Sequence, residues 1–332
     1  MDKKLWQIGA FVLLGSLCVV STGQGAFQDG LVSYWEFDGT LADTNLLNNG
    51  TMMGTNATPT YDTGKFGQGI DLDGVDQFVE IANESAFDFV GQDFSISAWF
   101  RVDAFDKDWQ ALIAKGEGNR WRVHRRGGDV PEALTWNGGN ADVPAYDAAA
   151  MPINDGQLHH FLGVSDFTNG EVRQYLDGVL VATGPAPTVE NNDMPVMIGE
   201  NPDARGRTWN GLIDDVAVWG RALDNAEIAN IWNNGNGASI RSLLDNPPVQ
   251  GDVNGDGVVN IADFEPIRQN FLQSVTTRAE GDLNLDGTVN FDDFRLWKSN
   301  AGAVAATASV PEPGTMVLIA VGLLGALRLR RR

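Results

Sequence analysis

Two twelve-residue segments in the last third of the chain carry oxygen-bearing side chains at matching positions. They span residues 252–263 and 282–293, and in each one positions 1, 3, 5, 9 and 12 are Asp or Asn and position 6 is Gly. A hard cation such as Ca²⁺ takes about six to eight oxygen ligands, and the surrounding loop must turn sharply at a residue without a Cβ. Two such loops in tandem therefore predict two calcium sites.

The predicted ligands of the first loop are the carbonyl of Val258 and the side chains of Asp252, Asn254, Asp256, Asn260 and Asp263. Those of the second loop are the carbonyl of Thr288 and the side chains of Asp282, Asn284, Asp286, Asn290 and Asp293. Residues 251–302 contain 9 acidic and 4 basic residues, so the carboxylates of an empty loop repel one another. We therefore expect calcium binding to be coupled to the folding of this segment.

A basic stretch in an acidic chain is a second candidate for a binding site. Residues 120–126 contain four arginines and one histidine. Alternate residues of a strand share a face, so the stretch predicts a basic face opposite Trp121, Val123 and Arg125. The residues of that basic face are Arg120, Arg122, His124 and Arg126.

The predicted basic face suits an anionic glycan, because arginine forks pair with carboxylate or sulfate groups. Trp109 and Trp136 lie on neighbouring stretches and are candidates for stacking on sugar rings. The alternative is an exposed strand whose arginines pair with Asp106, Asp108 and Asp129 of this chain.

The segment with the two loops departs from an ordinary EF-hand pair. Position 12 is Asp in both loops, and the prolines at 247–248 leave no helix before the first loop, so each unit is a loop followed by one helix. The pattern D-x-N-x-D-G-x-V-N-x-x-D, present twice, resembles a type I dockerin over about residues 251–302. That resemblance implies a cohesin-like partner. Positions 10 and 11 differ between the repeats, Ile261-Ala262 against Phe291-Asp292, which does not favour symmetric docking, and the alternative is a calcium-folded spacer.

The longest part of the chain is typical of a mainly β protein. Residues 30–222 alternate apolar and polar residues in short runs separated by Gly, Asn and Asp. Asp177-Gly178 lies between two such runs and predicts a two-residue hairpin turn. Many short strands predict two packed sheets, as in a sandwich or jelly roll.

Several stretches of this part resemble one family. They include YWEFDG at 34–39, FSISAWF at 94–100, YLDG at 175–178 and GLIDDVAVW at 211–219. Together they resemble the LamG-like jelly roll of the concanavalin A-like lectins and glucanases over about residues 30–236. A short helix is expected near the end of this part, and residues 237–250 are expected to form a linker.

The same resemblance raises two questions of site chemistry. Its glucanases use a Glu-x-Asp-x-x-Glu strand, and here Glu36 and Asp38 are followed by Leu at position 41. Asp214 and Asp215 are adjacent, so we expect them on opposite sides of a strand, where they could not act as acid and base. The resemblance implies one further Ca²⁺ held by Asp38 with Asp214 or Asp215. The alternative is that Asp38 caps a turn and Asp214 bonds to backbone.

Residues 1–26 have the character of a secretory signal peptide. Lys3 and Lys4 precede an apolar run at 8–20, and small residues follow. The alternative, a transmembrane anchor, needs about 20 apolar residues. The single cysteine, Cys18, lies in this segment, so cleavage leaves no thiol for disulfides, thiol catalysis or zinc.

Residues 310–332 combine three features in a fixed order. Pro311, Glu312 and Pro313 precede an apolar run at 316–327, and four arginines follow. This order resembles a PEP-CTERM sorting signal, which implies transient insertion in the inner membrane, cleavage by an exosortase and display at the cell surface or in the extracellular matrix. The alternative is a permanent membrane anchor. Residues 303–309 are expected to be a flexible lead-in.

The net charge of −21 argues against nucleic-acid binding, which needs a basic surface, and suits calcium and an extracellular location. These features together predict an exported, non-catalytic surface protein. Its jelly roll would bind a glycan or a surface protein, and its dockerin-like segment would hold calcium. A polysaccharide-degrading hydrolase, or an accessory subunit of a degrading complex, is one alternative. A structural matrix component is another.

Overall fold

The computed structural model describes residues 27–301, apart from residues 128–131, 140–141, 145, 186–187, 246–248, 256–257 and 276. The predicted signal peptide, the sorting motif at Pro311, Glu312 and Pro313 and the predicted ligand Asp256 lie outside the described residues. No helix within the described ranges has the length and apolar character that crossing a membrane requires.

The described chain forms two antiparallel sheets, as the alternating pattern predicts. The large sheet has the strand order β12-β11-β10-β6-β14-β4-β3, with β1 also paired to β14, and the small sheet has the order β2-β5-β13-β7-β8-β9. The strands are β1 Leu31–Trp35, β2 Thr51–Met53, β3 Thr60–Thr63, β4 Gln68–Asp73, β5 Phe78–Ile81, β6 Phe94–Arg101, β7 Ala111–Ala114, β8 Trp121–Arg125, β9 Leu134–Gly138, β10 Leu158–Asp166, β11 Glu171–Leu176, β12 Val179–Pro185, β13 Val196–Ile198 and β14 Asn210–Trp219. The predicted hairpin turn joins β11 to β12, with φ 48° at Asp177 and 73° at Gly178.

The main core lies between the two sheets. Alternate residues of β6, including Phe94, Ile96 and Phe100, point into it, and Trp121 and Val123 of β8 meet them from the small sheet. Large aromatic side chains dominate the burial, which is the main stabilising contribution of such a core. The mainly β jelly roll predicted from the strand pattern is thereby confirmed.

Two helices cover the outer face of the large sheet. Helix α1, Asn225–Trp232, begins at a capping box formed by Asp224 and Glu227, and α2 spans Ile240–Asp245. Their apolar residues join a second core with Tyr34, Leu162 and Trp219 of the sheet. The first half of the predicted linker is therefore packed on the jelly roll, because Ile240 and Leu243 are buried there.

The segment with the two loops forms a small helical module. Helix α3, Ile261–Gln269, and helix α4, Phe291–Ala301, each follow directly from one loop. The core of this module consists of four buried side chains, Val253, Ile267, Leu283 and Val289, flanked by partly buried aromatic residues. The layout of one loop and one helix per repeat follows the prediction.

Candidate functional site

The first loop closes through its last carboxylate. Asp263 is fully buried; its Oδ1 accepts hydrogen bonds from the backbone nitrogens of Val253 at 2.8 Å and Asn254 at 3.1 Å, and its Oδ2 accepts from Asn260 at 2.8 Å. Asp252 Oδ1 accepts from the Gly255 nitrogen at 2.8 Å. The side chain at position 12 thus joins both ends of the loop and forms the capping box that begins α3.

The second loop is described in full, and hydrogen bonds connect several of its predicted ligand groups. Asp293 Oδ1 accepts from the backbone nitrogens of Leu283 at 2.7 Å and Asn284 at 3.2 Å. The Asn284 amide donates to Asp286 Oδ2 at 2.9 Å, and the Asn290 amide donates to the Thr288 carbonyl at 3.2 Å and to Asp286 Oδ2 at 3.4 Å. Asp282 Oδ2 accepts from the Gly287 nitrogen at 2.8 Å, so the first ligand position is tied to the turn.

The second loop also concentrates negative charge at a buried position. Burial raises the pKa of Asp282, and the charges of Asp293 and Asp286 raise this pKa further. A cation between these groups would favour their ionised forms. Within the described residues, no three acidic or imidazole side chains are grouped for a metal. The loops instead mix carboxylates with amides and a carbonyl, and Ca²⁺ accepts all of these oxygens. The residues present fit Ca²⁺.

The predicted basic face lies on the outer side of the small sheet. Trp121 and Val123 point into the core, while Arg122 and His124 point away from it, as strand alternation predicts. His124 is completely buried, however, and its Nδ1 lies 2.8 Å from the Arg125 carbonyl. Burial lowers the pKa of His124, which favours a neutral imidazole.

Acidic side chains compensate the charge of this face. Arg122 Nη1 lies 2.5 Å from Glu117 Oε1, and His124 Nε2 lies 3.1 Å from Asp142 Oδ1. A third pair, which is partly exposed, joins Arg120 Nη1 to Asp203 Oδ2 at 3.5 Å. Pairing is what the alternative interpretation predicts, but the acids differ from those it names: Glu117 lies in the loop just before β8, and Asp142 and Asp203 lie further along the chain. No spacing signal in the chain identifies them.

Of the two acids of that alternative that the structure describes, Asp106 and Asp108, one contacts the basic stretch. Asp108 Oδ1 lies 3.9 Å from Arg125 Nη1. Arg125 belongs to the side of β8 opposite to the predicted basic face. Asp106 instead pairs with Lys107 at 3.5 Å, and Asp129 lies outside the described residues. Arg126 Nη1 donates to the Val143 carbonyl at 2.9 Å.

Trp109 lies beside Arg122 and His124 of the basic stretch, and its role in ligand binding stays a prediction. Its ring centroid lies 5.5 Å from His124 and 5.7 Å from the Arg122 guanidinium carbon. Arg207, which the sequence does not identify, lies over the same ring at 6.0 Å. A side chain at Gly127 would meet the ring, since its Cβ would lie 2.4 Å from Trp109 Cε2. The backbone at Trp109 is left-handed, with φ 63°, a strained conformation that is common at binding sites.

Trp136 does not lie on this face, and the prediction that it stacks on a ligand is wrong. It pairs across β8 and β9 with Val123, so it shares the inward side of the small sheet. Its ring is fully buried in the core, 5.5 Å from Phe94 and 6.2 Å from Phe161. The sequence places Trp136 beside the basic stretch but does not give the register between the two strands.

The expectation that Asp214 and Asp215 face opposite sides of their strand is also wrong. The pairing of β14 with β6 shifts register between Asp214 and Ala217, and Asp215 has a left-handed φ of 51°. This bulge turns both carboxylates towards the helix-covered face of the large sheet. Strand alternation fails there because the bulge adds one residue.

Both carboxylates are buried and bonded to the protein. Asp214 Oδ2 accepts from the backbone nitrogens of Lys65 at 2.7 Å and Phe66 at 3.1 Å. Asp215 accepts from the Tyr34 hydroxyl and from the Ile240 nitrogen of α2 at 3.2 Å. Burial raises the pKa of Asp214 to about 8 and that of Asp215 to about 7.

The predicted jelly-roll calcium site combines Asp38 with one of these two residues. Asp38 Oδ1 accepts from the Gln68 backbone nitrogen at 2.6 Å, a turn-closing role like the one in the alternative interpretation. Asp214 Oδ1 is buried without a hydrogen-bond partner among the described residues, which leaves one oxygen for a cation. Calcium at Asp38 with Asp214 or Asp215 stays a prediction.

Three family models match separate parts of the chain. Residues 73–229 match the concanavalin A-like lectin/glucanases superfamily, residues 250–300 match the dockerin type I domain, and residues 309–332 match the PEP-CTERM protein-sorting motif. All three resemblances read from the sequence are confirmed. No curated protein matches the chain significantly.

Solved structures resemble this chain at low sequence identity. Domain 4 of AbnA, an extracellular arabinanase from Geobacillus stearothermophilus solved in complex with arabinotriose, is 21% identical with a TM-score of 0.47, over 60% of this chain and 96% of that one. The binding domain of Paraclostridial Mosquitocidal Protein 1 is 17% identical with a TM-score of 0.51, over 63% of this chain and 53% of that one. The binding domain of botulinum neurotoxin serotype C1 is 17% identical with a TM-score of 0.48, over the same shares. This chain thus spans about half of each toxin domain, and the likeness concerns the fold.

Proposed function

Because the chain carries a concanavalin A-like lectin/glucanase domain, a type I dockerin domain and a PEP-CTERM sorting motif, we propose that it is a non-catalytic glycan-binding protein exported to the cell surface. Its jelly roll binds the glycan, and its dockerin module holds two calcium ions. The observation that carries the calcium part is the second loop, where the Asn284 and Asn290 amides both donate to Asp286, and where burial and the charges of Asp293 and Asp286 raise the pKa of Asp282.

Each ion is held by one loop through the ligand set given above, including Asp256 in the first loop. A bound ion supplies positive charge that offsets the repulsion among the loop carboxylates. The chain itself contributes the closure of the loop, since Asp263 and Asp293 bridge its two ends by hydrogen bonds. Calcium binding is therefore coupled to the formation of the first turns of α3 and α4.

The glycan-binding surface is the outer side of the small sheet around Trp109. The Trp109 ring is partly exposed and is held from behind by Arg122, His124 and Gly127. Aromatic rings stack on the apolar faces of sugar rings, while Arg120 and Arg126 at the edge can donate to hydroxyl groups. Since acids pair with the arginines, the ligand is a neutral or weakly anionic glycan rather than a strongly sulfated one.

A cohesin-like partner docks on the first turns of α3 and α4. The residues at position 10 of the two loops, Ile261 and Phe291, are 72% and 64% exposed. Exposed apolar side chains of this size on a small module are typical of an interface. The sorting segment adds two transient partners, an exosortase and the inner membrane.

A polysaccharide panel tests the glycan part of this proposal. The protein is measured for binding and, on the same panel, for release of reducing sugars. We expect binding without release, and a loss of about tenfold in affinity for Trp109→Ala, because the stacking surface disappears. Phe167→Ala is the matched control, since Phe167 is 50% exposed on a turn after β10. Release of sugars would favour a hydrolase, and no binding would favour a structural matrix component.

A further inference from the structure

A cleft of about 310 Å³ lies between the jelly roll and the dockerin module. One wall is built by the β11–β12 hairpin and α1, including Leu180, Asn225 and Trp232. The facing wall is built by the second loop and the segment before it, including Leu285 and Val275. This volume is at the lower end of the range of small-ligand sites, about 300–1,000 Å³, so it suits one or two sugar rings.

The jelly-roll wall presents an aromatic ring that is held in place. Trp232 stacks on Trp99 at 5.9 Å and on His160 at 6.3 Å, with interplanar angles of 19° and 25°. It also packs tightly on Gly178 in the hairpin turn, where a Cβ would lie 2.2 Å from Trp232 Cδ1. Because the ring is only partly buried, it offers the cleft a preorganised apolar surface.

The polar side chains that line the cleft are the amides of Asn225 and Asn234, the Tyr175 hydroxyl and the Asp282 carboxylate. Asn225 Oδ1 accepts from Arg173 Nη1 at 3.2 Å and from the Tyr175 hydroxyl at 3.4 Å, which fixes the side chain and leaves its amide nitrogen without a partner among the described residues. Asn234 is exposed at the mouth and adds a second amide. No Lys, Arg or His lines the cleft, so nothing there favours an anion. An aromatic surface beside amides fits the apolar faces and hydroxyls of a neutral sugar.

The facing wall contains a strained residue. Position 4 of the first loop is Gly255 with φ 75°, and the same position of the second loop is Leu285 with φ 55°. A left-handed backbone is natural for glycine and unfavourable for leucine. The second loop therefore keeps a leucine where glycine would be easier, and that leucine lines the cleft. Strain of this kind points to a contact that needs the side chain.

We propose that this cleft is a second saccharide site, for a neutral oligosaccharide, which forms only when the second loop holds calcium. The inference rests on the calcium binding proposed above, because Leu285 and Asp282 reach the cleft only from a folded loop. The site is separate from the Trp109 surface, which belongs to the small sheet.

The experiment uses the full chain with Trp109→Ala as background, so that the Trp109 surface does not contribute. A neutral oligosaccharide array identifies a ligand, and calorimetry measures its affinity with calcium and with chelator. We expect Leu285→Gly and Asn234→Ala each to weaken binding about tenfold. Leu272→Gly is the matched control, since Leu272 has φ 62° and is 69% exposed away from the cleft. Chelator should abolish binding.

The proposal is overturned if no oligosaccharide binds in this background, if both cleft variants bind as well as the background, or if binding persists with chelator. Binding of apolar peptides in place of sugars at the same residues also overturns it. A calcium titration of the same samples keeps the two proposals apart. If calcium is taken up normally while saccharide binding fails, the cleft proposal alone falls; if no calcium is taken up, the calcium part of the proposed function falls as well.

Discussion

The jelly roll and the dockerin module are stabilised by different means. The core of the jelly roll includes four fully buried tryptophans, Trp35, Trp121, Trp136 and Trp209, together with many aliphatic residues. The core of the dockerin module has four buried apolar side chains, and four buried carboxylates accompany them at Asp252, Asp263, Asp282 and Asp293. Small domains of about this size often need a metal, because they bury too little apolar surface.

The same residue type therefore has opposite consequences in the two modules. In the jelly roll, Asp214 and Asp215 are buried among protein donors, and their raised pKa values favour the protonated forms near neutral pH. In the dockerin module, the buried carboxylates belong to loops with further oxygen-bearing side chains, and neither loop contains a cationic residue. We infer that the buried carboxylates of the jelly roll are neutralised by protonation, whereas those of the dockerin module are neutralised by bound calcium.

The largest expected effect is selective unfolding by a chelator. Removing calcium from the full chain should eliminate the helical far-UV circular dichroism of α3 and α4, since the loop carboxylates then repel one another. The near-UV signal of the buried jelly-roll tryptophans should persist. Re-addition of calcium should restore the helical signal, and magnesium serves as the control cation. A helical signal that is unchanged by chelator would remove the distinction between the two modules.

A pair of aromatic substitutions sharpens the comparison of the cores. Trp136→Ala should destabilise the jelly roll by about 3–5 kcal/mol, because it leaves a large cavity between the sheets. Phe291→Ala should change the stability of the dockerin module by less than about 0.5 kcal/mol, because Phe291 is 64% exposed. Denaturant titrations followed by near-UV and far-UV signals separate the two transitions. Equal losses for the two variants would contradict this account of the cores.

A smaller effect is expected from pH. The pKa of Asp214 is about 8 in the folded jelly roll and near 4 when unfolded, so the folded state binds more protons between these values. Its contribution to stability is fully present below about pH 4 and is lost as the pH rises through about 8. With chelator present, raising the pH across this window should lower the free energy of unfolding of the parent by about 1–3 kcal/mol more than that of Asp214→Asn. Parallel pH profiles of the two proteins would show that Asp214 is not protonated.

The predictability of the two modules from sequence differs for a physical reason. In the dockerin module the ligands of one loop lie within twelve residues, so their spacing alone describes the loop and the start of the following helix. In the jelly roll, residues from distant strands meet, and their register depends on the whole fold. The strand alternation of β8 is correctly predicted, because it is local.

The errors fall where local patterns meet long-range structure. The bulge at Asp215 depends on the pairing of β14 with β6, and the inward position of Trp136 depends on the pairing of β8 with β9. The buried Arg122 pairs with Glu117, and the buried His124 pairs with Asp142. Both acids lie in loops outside β8. No periodicity in the chain carries that information.

Calcium titration by calorimetry tests the central claim most directly. The parent chain should bind two calcium ions. Asp293→Asn should weaken calcium binding at the second site at least about tenfold, because it replaces one oxygen of the carboxylate that ligates the ion and closes the loop. Asp292→Asn, next to it, is the matched control, since Asp292 points to solvent and pairs with Arg295 at 2.7 Å. We predict two ions for the parent and for Asp292→Asn, and one tightly bound ion for Asp293→Asn. No calcium uptake by the parent at millimolar concentration would contradict the account.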